Sequence, residues 1–336
     1  MGKSVFRILS AHTSKLLAKQ NVVGVGVGVK NSDFDPKSPP ALVVLVKKKL
    51  PSDEIPKEHL VPKSIGGVLT DVVEVGEIQL LAQRTSRIRP AAPGVSIGHY
   101  KVTAGTLGAL VKDKATGQLL ILSNNHVLAN ITDGRDGRCE LGDPIFQPGR
   151  YDGGSAQDII ARLERFVPIY RTYGSPDCPI AQGIERAVNS ALSHLKPSYS
   201  IRLIKARQAA NVVDAAVARP VSDDVVTPKI LGVGRVNGIA EPYVGMKVMK
   251  SGRTTDITEG TIKVINATLK VTMADVGEAV FAQQIVTTAM AEGGDSGSLV
   301  VTPDLKAVGL LAAGSESATV MSHIQNVLGS LNVELV

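Results

Sequence analysis

The chain contains no tryptophan, and phenylalanine and tyrosine together make up only 3% of its 336 residues. Its core must therefore be assembled from valine, isoleucine, leucine and alanine. Its surface also lacks the stacking side chains on which single-stranded nucleic acid is usually held. Excess charge is scarce too: 37 Lys and Arg against 31 Asp and Glu leave a net charge of +6. Lys47-Lys48-Lys49 and the stretch QRTSRIRP (83–90) are the only basic clusters, with almost no aromatic residue near them. They read as solvated edges and linker, and no nucleic-acid partner is expected. Two cysteines, Cys139 and Cys178, exclude a disulfide framework. Both fall in loop-like stretches, so one bridge stays open as an alternative, with free thiols in a reducing compartment the better reading.

No segment approaches the roughly 20 apolar residues of a membrane-spanning helix. The opening MGKSVFRILSAHTSKLLAKQN reads as an amphipathic helix, with Val5, Phe6, Leu9, Leu16 and Leu17 interleaved with basic residues. It lacks the continuous apolar stretch and small-residue cleavage site of a signal peptide. Phe6 also stands where a myristoylation signal needs Ser or Thr. A soluble, cytoplasmic protein with no membrane partner is expected. No His, Cys, Asp and Glu cluster has metal-ligand spacing, so no cofactor is expected. Gly24, Gly26 and Gly28, and the stretch GVGRVNG (232–238), miss the G-x-G-x-x-G spacing, which argues against dinucleotide binding.

Valine is abundant and falls in short runs, the composition of strands. Residues 1–82 read as a small α/β module. The opening helix leads into NVVGVGVGVK (21–30), the unbroken apolar run ALVVLVKKKL (41–50) and a third candidate strand, DVVEVGEIQLL (71–81). The apolar run ALVVLVKKKL makes the module a candidate assembly surface for homo-oligomers. Residues 83–96, rich in Arg, Pro, Ala and Ser, read as a linker. From 97 to 336 the texture changes to short Val- and Ile-rich strands between Gly, Asp, Asn and Pro turns: 106–113, 118–128, 212–220, 245–252, 260–273, 281–289, 297–303 and 307–314. Such regular spacing predicts an antiparallel barrel or sandwich. A helical pattern at 180–196 marks 170–206 as an insertion. Ile324, Val327, Leu328 and Leu331 predict a short C-terminal helix.

Three segments carry chemistry. In AEGGDSGSLVV (291–301), glycines on both sides of Ser296 allow a sharp turn that points successive N–H groups inward, as stabilising an oxyanion requires. A serine nucleophile needs a base, and the base needs an orienting acid. Of six histidines only His126, in ILSNNHVLAN, closes an apolar strand and opens a turn. Asp214, in NVVDAAVARP, is surrounded by Val and Ala, where an ionised carboxylate implies a partner. Asp158 is the rival acid, and the small alanines beside Asp214 favour it. The order His126, Asp214, Ser296 excludes the α/β-hydrolase arrangement, whose G-x-S-x-G elbow is also broken by Ser298. The subtilisin order would need an acid upstream of His126, and Asp113 is poorly placed for it.

SNNHVLA, VDAAVA and GGDSGSLV resemble the three triad segments of chymotrypsin-like (trypsin-like) serine peptidases, in that family's order. KSGRTTDITEGTI (250–262) is similar to the family's glycine-bounded hairpin, and AVGLLAAGS (307–315) to the strand lining its substrate cleft. The SNNHVLA wording and the leading α/β module resemble intracellular bacterial and plant peptidases of the NARROW LEAF type. The resemblance implies a mainly β fold, a chymotrypsin-like double antiparallel β-barrel preceded by a small N-terminal α/β domain of regulatory or assembly role. It implies His126 as general base and acid, Asp214 as its orienting carboxylate and Ser296 as nucleophile of a serine endopeptidase acting on protein or peptide substrates. The same segments are also open to a catalytically silent scaffold or an esterase. Gly294 and Ser296 would supply the oxyanion hole. By offset, Met290 would form the pocket floor and Ala312, Ala313 and Gly314 its facing wall, which predicts an apolar or small residue before the scissile bond. In that family the Asp before the nucleophile pairs with an ammonium freed by cleavage at an Ile-Val-Gly-Gly-type sequence. No such sequence precedes GALVKD, so Asp295 is expected to pair with Arg253 or a backbone amide. The enzyme is expected to fold active or to be gated by its N-terminal module.

Overall fold

The computed structural model describes residues 3–30, 38–76, 84–174, 178–206, 210–273 and 276–336. The chain separates into two compact units, Met1–Ala82 and Gln83–Val336. In the smaller, the helix Lys3–Leu17 precedes a four-stranded sheet ordered Val22–Val29, Pro40–Val46, Val68–Glu74, Ser64–Ile65. The apolar run makes Pro40–Val46 an inner strand, antiparallel to Val22–Val29 and parallel to Val68–Glu74. Leu16, Val44 and Val46 form its buried centre. The third strand starts earlier than its sequence suggests, at Val68, and ends at Glu74; residues 77–81 of the expected strand lie outside the described residues.

The larger unit is mainly β, built as two antiparallel lobes. The first is an eight-stranded sheet ordered Val333–Leu335, Ala109–Asp113, Leu119–Ser123, Ala216–Pro220, Ile159–Phe166, Pro144–Phe146, Ser96–His99, Gly105–Thr106. The second is a closed six-stranded barrel: Lys247–Gly252, Asp256–Met273, Gly277–Thr288, Ala318–His323, Ala307–Gly314 and Leu299–Val301, which pairs back onto the first. Closure removes the free sheet edges that would invite aggregation. The helix Ile324–Leu331 buries the four predicted apolar residues, and the strand after it pairs with the first lobe. One apolar cluster accordingly takes Leu120, Leu122 and Val217 from the first lobe, Leu299, Val301 and Leu310 from the second, and Ile324 and Val327 from the helix. This shared core fixes the lobes against each other, and the candidate site lies along their seam.

Residues 84–96 are not a free linker. Arg84, Ala91 and Val95 are buried, and Ser96–His99 is already a strand. The Ala and Val of this stretch join an apolar cluster with Ile97, Leu110 and Ile121, and burying them outweighs the flexibility their Pro and Gly neighbours suggest. The strand expected over 118–128 ends at Ser123, and Asn125–Leu128 turns into one helical turn. The insertion has its helix at Pro179–Leu195, closed at its base by pairing of Tyr173–Gly174 with Lys205–Ala206. Cys139 and Cys178 are both free thiols.

Candidate active site

The site starts from a strand register. Ser123 pairs with Ala216, so the turn leaving one strand meets the loop entering the other. His126 comes from the turn and Asp214 from the loop. His126 Nδ1 lies 2.5 Å from Asp214 Oδ2, and the His126 backbone N–H donates to Asp214 Oδ1 at 3.3 Å. Asn124 Nδ2 donates to the Asp214 carbonyl at 2.7 Å, tying the two segments a third time. A carboxylate only accepts, so Nδ1 carries the proton and Nε2 is left with its lone pair. Asp214 is 5% exposed and the His126 side chain 25%. Burial is the largest influence on the His126 ring and opposes its protonation. The charge and hydrogen bond of Asp214 outweigh it and hold the pKa above the ordinary imidazole value. The rival acid, Asp158, sits elsewhere: it completes a capping box with Ser155 and pairs with Arg87.

Ser296 lies in the turn ahead of the barrel strand Leu299–Val301. Its carbonyl accepts from Thr106 N of the first lobe at 2.8 Å, and Gly297 N donates to Leu311 O at 2.8 Å. Gly297 has φ +93, and a Cβ there would collide with the Ser123 hydroxyl and the Thr106 carbonyl, so only glycine lets the loop lie against the first lobe. The Ser296 hydroxyl donates to the Ala312 carbonyl at 3.3 Å and makes no hydrogen bond to the His126 ring. Along the loop, the amides of Asp295, Gly297 and Ser298 each donate to a backbone carbonyl. Those of Gly294 and Ser296 have no partner among the described residues. Two neighbouring unspent donors beside a serine hydroxyl can receive a developing negative charge.

Asp295, between these two donors, is fully buried. Its cationic partner is Lys250, with Nζ 3.2 Å from Oδ2 and neither side chain exposed. Thr254 N and Thr255 N donate to Oδ1 at 2.8 and 3.2 Å, and Thr255 Oγ1 and Glu292 N donate to Oδ2 at 2.5 and 3.0 Å. Burial, the largest influence, works against the charged carboxylate. The hydrogen bonds from Thr255 Oγ1, Glu292 N and Thr254 N, with the ammonium of Lys250, reverse it and hold Asp295 below the ordinary carboxylate value. Backbone amides are among the partners, as expected. Arg253 is not: its guanidinium grips Asp152 of the first lobe. The lysine reaches Asp295 from an inward-facing position of its strand, which leaves the arginine, in the turn that follows, to reach across the lobes.

Two cavities flank the strand Ala307–Gly314. One of about 680 Å³ opens beside Ser296 and is lined by Met290, Ala313 and Gly314, with Glu292 and Glu316 also on its lining. The other, of about 240 Å³, is lined by His126, Asp214, Val271, Met273, Phe281 and Ala312. Offset had placed Ala312 on the Ser296 cavity; it lines the other one instead, where a bulge between Leu311 and Ala313 breaks the regular alternation of the strand. Ala313 borders both cavities. Lys250, Asp152 and Thr254 are the site's neighbours that sequence reasoning passed over. For Lys250 there was a signal: it shares strand parity with the apolar Val248, and both are buried.

No family model matches the chain, and no curated protein matches it. Among solved structures the chain is similar to Protease A of Thermobifida fusca, at 21% identity over 73% of this chain and 99% of that one, with a TM-score of 0.45. A Nocardiopsis protease is 18% identical over 73% and 99% of the two chains, with a TM-score of 0.45. A glutamic-acid-specific serine protease, described as using a histidine triad in substrate binding, is 17% identical over 73% and 100%, with a TM-score of 0.46.

Proposed function

We propose that the chain is a serine endopeptidase of chymotrypsin-like type, hydrolysing peptide bonds through an acyl-enzyme on Ser296. The observation that carries this reading is the commitment of His126 Nδ1 to Asp214, which leaves Nε2 as the only basic nitrogen of the ring. On substrate binding the Ser296 hydroxyl would rotate from the Ala312 carbonyl to Nε2. As Oγ attacks the scissile carbonyl, Nε2 takes the proton, and Asp214 stabilises the imidazolium without itself being protonated. The N–H groups of Gly294 and Ser296 receive the tetrahedral oxyanion, each worth about 3–4 kcal/mol in comparable sites. The imidazolium then protonates the leaving amine, and a water activated by the same Nε2 releases the acid.

The substrate in this reading is a protein or peptide with an apolar or small residue before the scissile bond, seated over Met290. We read residues 1–82 as a regulatory or assembly module, and the motif SNNHVLA behind such a module supports kinship with the intracellular NARROW LEAF-type peptidases. One observation favours a catalytically silent scaffold instead: the Ser296 hydroxyl rests on a carbonyl and not on the imidazole. Labelling by a fluorophosphonate decides between them. Wild-type protein should be labelled, and His126→Ala and Ser296→Ala should not. Absence of label on wild-type protein, full length or lacking residues 1–82, would establish the scaffold.

A further inference from the structure

The peptide joining Gly293 to Gly294 links two glycines beside Ser296. Both residues are glycine, and Gly294 has φ +101, so the backbone itself offers little resistance to this peptide turning over. Turning it over would aim the Gly293 carbonyl where the Gly294 N–H now stands, replacing a donor with an acceptor. In a trans peptide the C=O and N–H point in opposite directions, so whatever holds the carbonyl also aims the amide.

The Gly293 carbonyl is held by Thr254, whose Oγ1 lies 2.7 Å from it. Arg253 Nη1 reaches the same hydroxyl oxygen at 3.0 Å. A guanidinium only donates, so Thr254 Oγ1 accepts from Arg253, and its single proton is left for Gly293 O. Arg253 is itself fixed from the first lobe, with Nε 2.8 Å from Asp152 Oδ2 and Nη2 on Oδ1. Ser96 Oγ donates to the same carboxylate at 2.6 Å. The second donor is held alike. The Asp295 carbonyl, which shares a peptide with Ser296 N, accepts from the Ser298 hydroxyl at 2.6 Å and the Ser298 N–H at 3.0 Å.

We infer that Thr254 is a positioning residue for the oxyanion hole, its proton direction set by the Asp152–Arg253 pair, so that the hole is assembled only when the two lobes are docked. Ser298, the residue that breaks the glycine pattern after the nucleophile, does the same for the Ser296 amide. This inference rests on the acyl-transfer reading of Ser296, and the experiment separates the two. Full-length wild type, Thr254→Val and Thr254→Ser are compared by kcat and KM on a chromogenic peptide ester with leucine before the scissile bond, by melting temperature, and by the crystal structure of Thr254→Val. Valine keeps the shape and removes the hydroxyl. Its kcat should fall at least about tenfold, towards the 10²–10³-fold cost of losing one oxyanion donor, with KM within about twofold and the melting temperature unchanged. Serine should restore kcat, and the crystal structure of Thr254→Val should show the Gly293 carbonyl turned towards Ser296. Wild-type kcat in Thr254→Val with the peptide in place would overturn the inference, as would a loss that serine fails to rescue. If wild type neither cleaves nor labels, the reading of Ser296 falls, and the peptide orientation in the variant crystal still decides the role of Thr254.

Discussion

Lys250 Nζ lies 3.2 Å from Asp295 Oδ2, and neither side chain is touched by solvent. The cation that balances the carboxylate beside Ser296 is thus a side chain of the barrel itself. A buried pair of this kind is tolerated because each charge neutralises the other, and removing one partner leaves an uncompensated charge. Lys250→Met should therefore cost about 3–5 kcal/mol in urea or thermal unfolding. It should also lower activity, because Asp295 anchors the loop that presents Gly294 and Ser296. Adding Asp295→Asn to Lys250→Met should recover part of the stability. A double variant no more stable than Lys250→Met would show the pair uncoupled.

With the ammonium supplied internally, the uncleaved chain should carry a formed oxyanion hole. Protein whose intact mass is confirmed should label with a fluorophosphonate as fast before limited proteolysis as after it. A large gain on cleavage would show that the loop waits for a new terminus.

His126 must be neutral to act as a base, and its pKa is held above the ordinary 6.5. Activity should therefore rise with pH through a midpoint above 6.5, read from the acid limb of kcat/KM. Asp214→Asn removes both influences that raise the pKa and leaves burial, which lowers it, so the limb should move to lower pH. The same variant should lose about 10⁴-fold in kcat, because the required tautomer is no longer enforced. An unmoved limb would mean that another group sets it.

Met290 is 4% exposed and lines the Ser296 cavity, so the cavity presents an apolar surface there. Glu292 and Glu316 also line it but are exposed to solvent, where pairing with a cationic substrate is worth about 1 kcal/mol or less. Peptide libraries should show cleavage after Leu, Val or Ala ahead of Arg or Lys, and Met290→Asp should shift the ratio towards Arg by about tenfold or more. Faster wild-type cleavage after Arg would overturn the assignment.

Asp113 is held at about 2, chiefly by the hydrogen bond from Arg165. Arg165 also donates to the Leu331 carbonyl at the end of the last helix, so this pair ties the C-terminus to the first lobe. A carboxyl lowered in the folded state contributes stability above its unfolded value of 3.8, lost as pH falls through about 2. Arg165→Gln should move acid unfolding, followed by circular dichroism, to higher pH.

The fold class was legible because it depends on local patterns. Short valine-rich runs punctuated by turn residues are strands wherever they sit, and the helices Lys3–Leu17, Pro179–Leu195 and Ile324–Leu331 each announce themselves by apolar spacing. The misjudged stretch, 84–96, is the one whose Pro, Gly and Arg content suggests a linker while tertiary burial of Ala91 and Val95 dictates otherwise. Composition reports how freely a segment could move and says nothing of which surface will receive it.

The same division runs through the site. The sequence by itself determined the candidate nucleophile, base and acid, since a serine among glycines, a histidine leaving an apolar strand and an aspartate among alanines are local signals in a meaningful order. Only the tertiary structure decided that Asp295 pairs with Lys250 and not with Arg253, and that Arg253 reaches Asp152 instead. The barrel register turns Lys250 inward and leaves Arg253 in the turn at the lobe seam. Which cation meets a buried carboxylate is set by the direction a strand faces, and that direction exists only once the strands have paired.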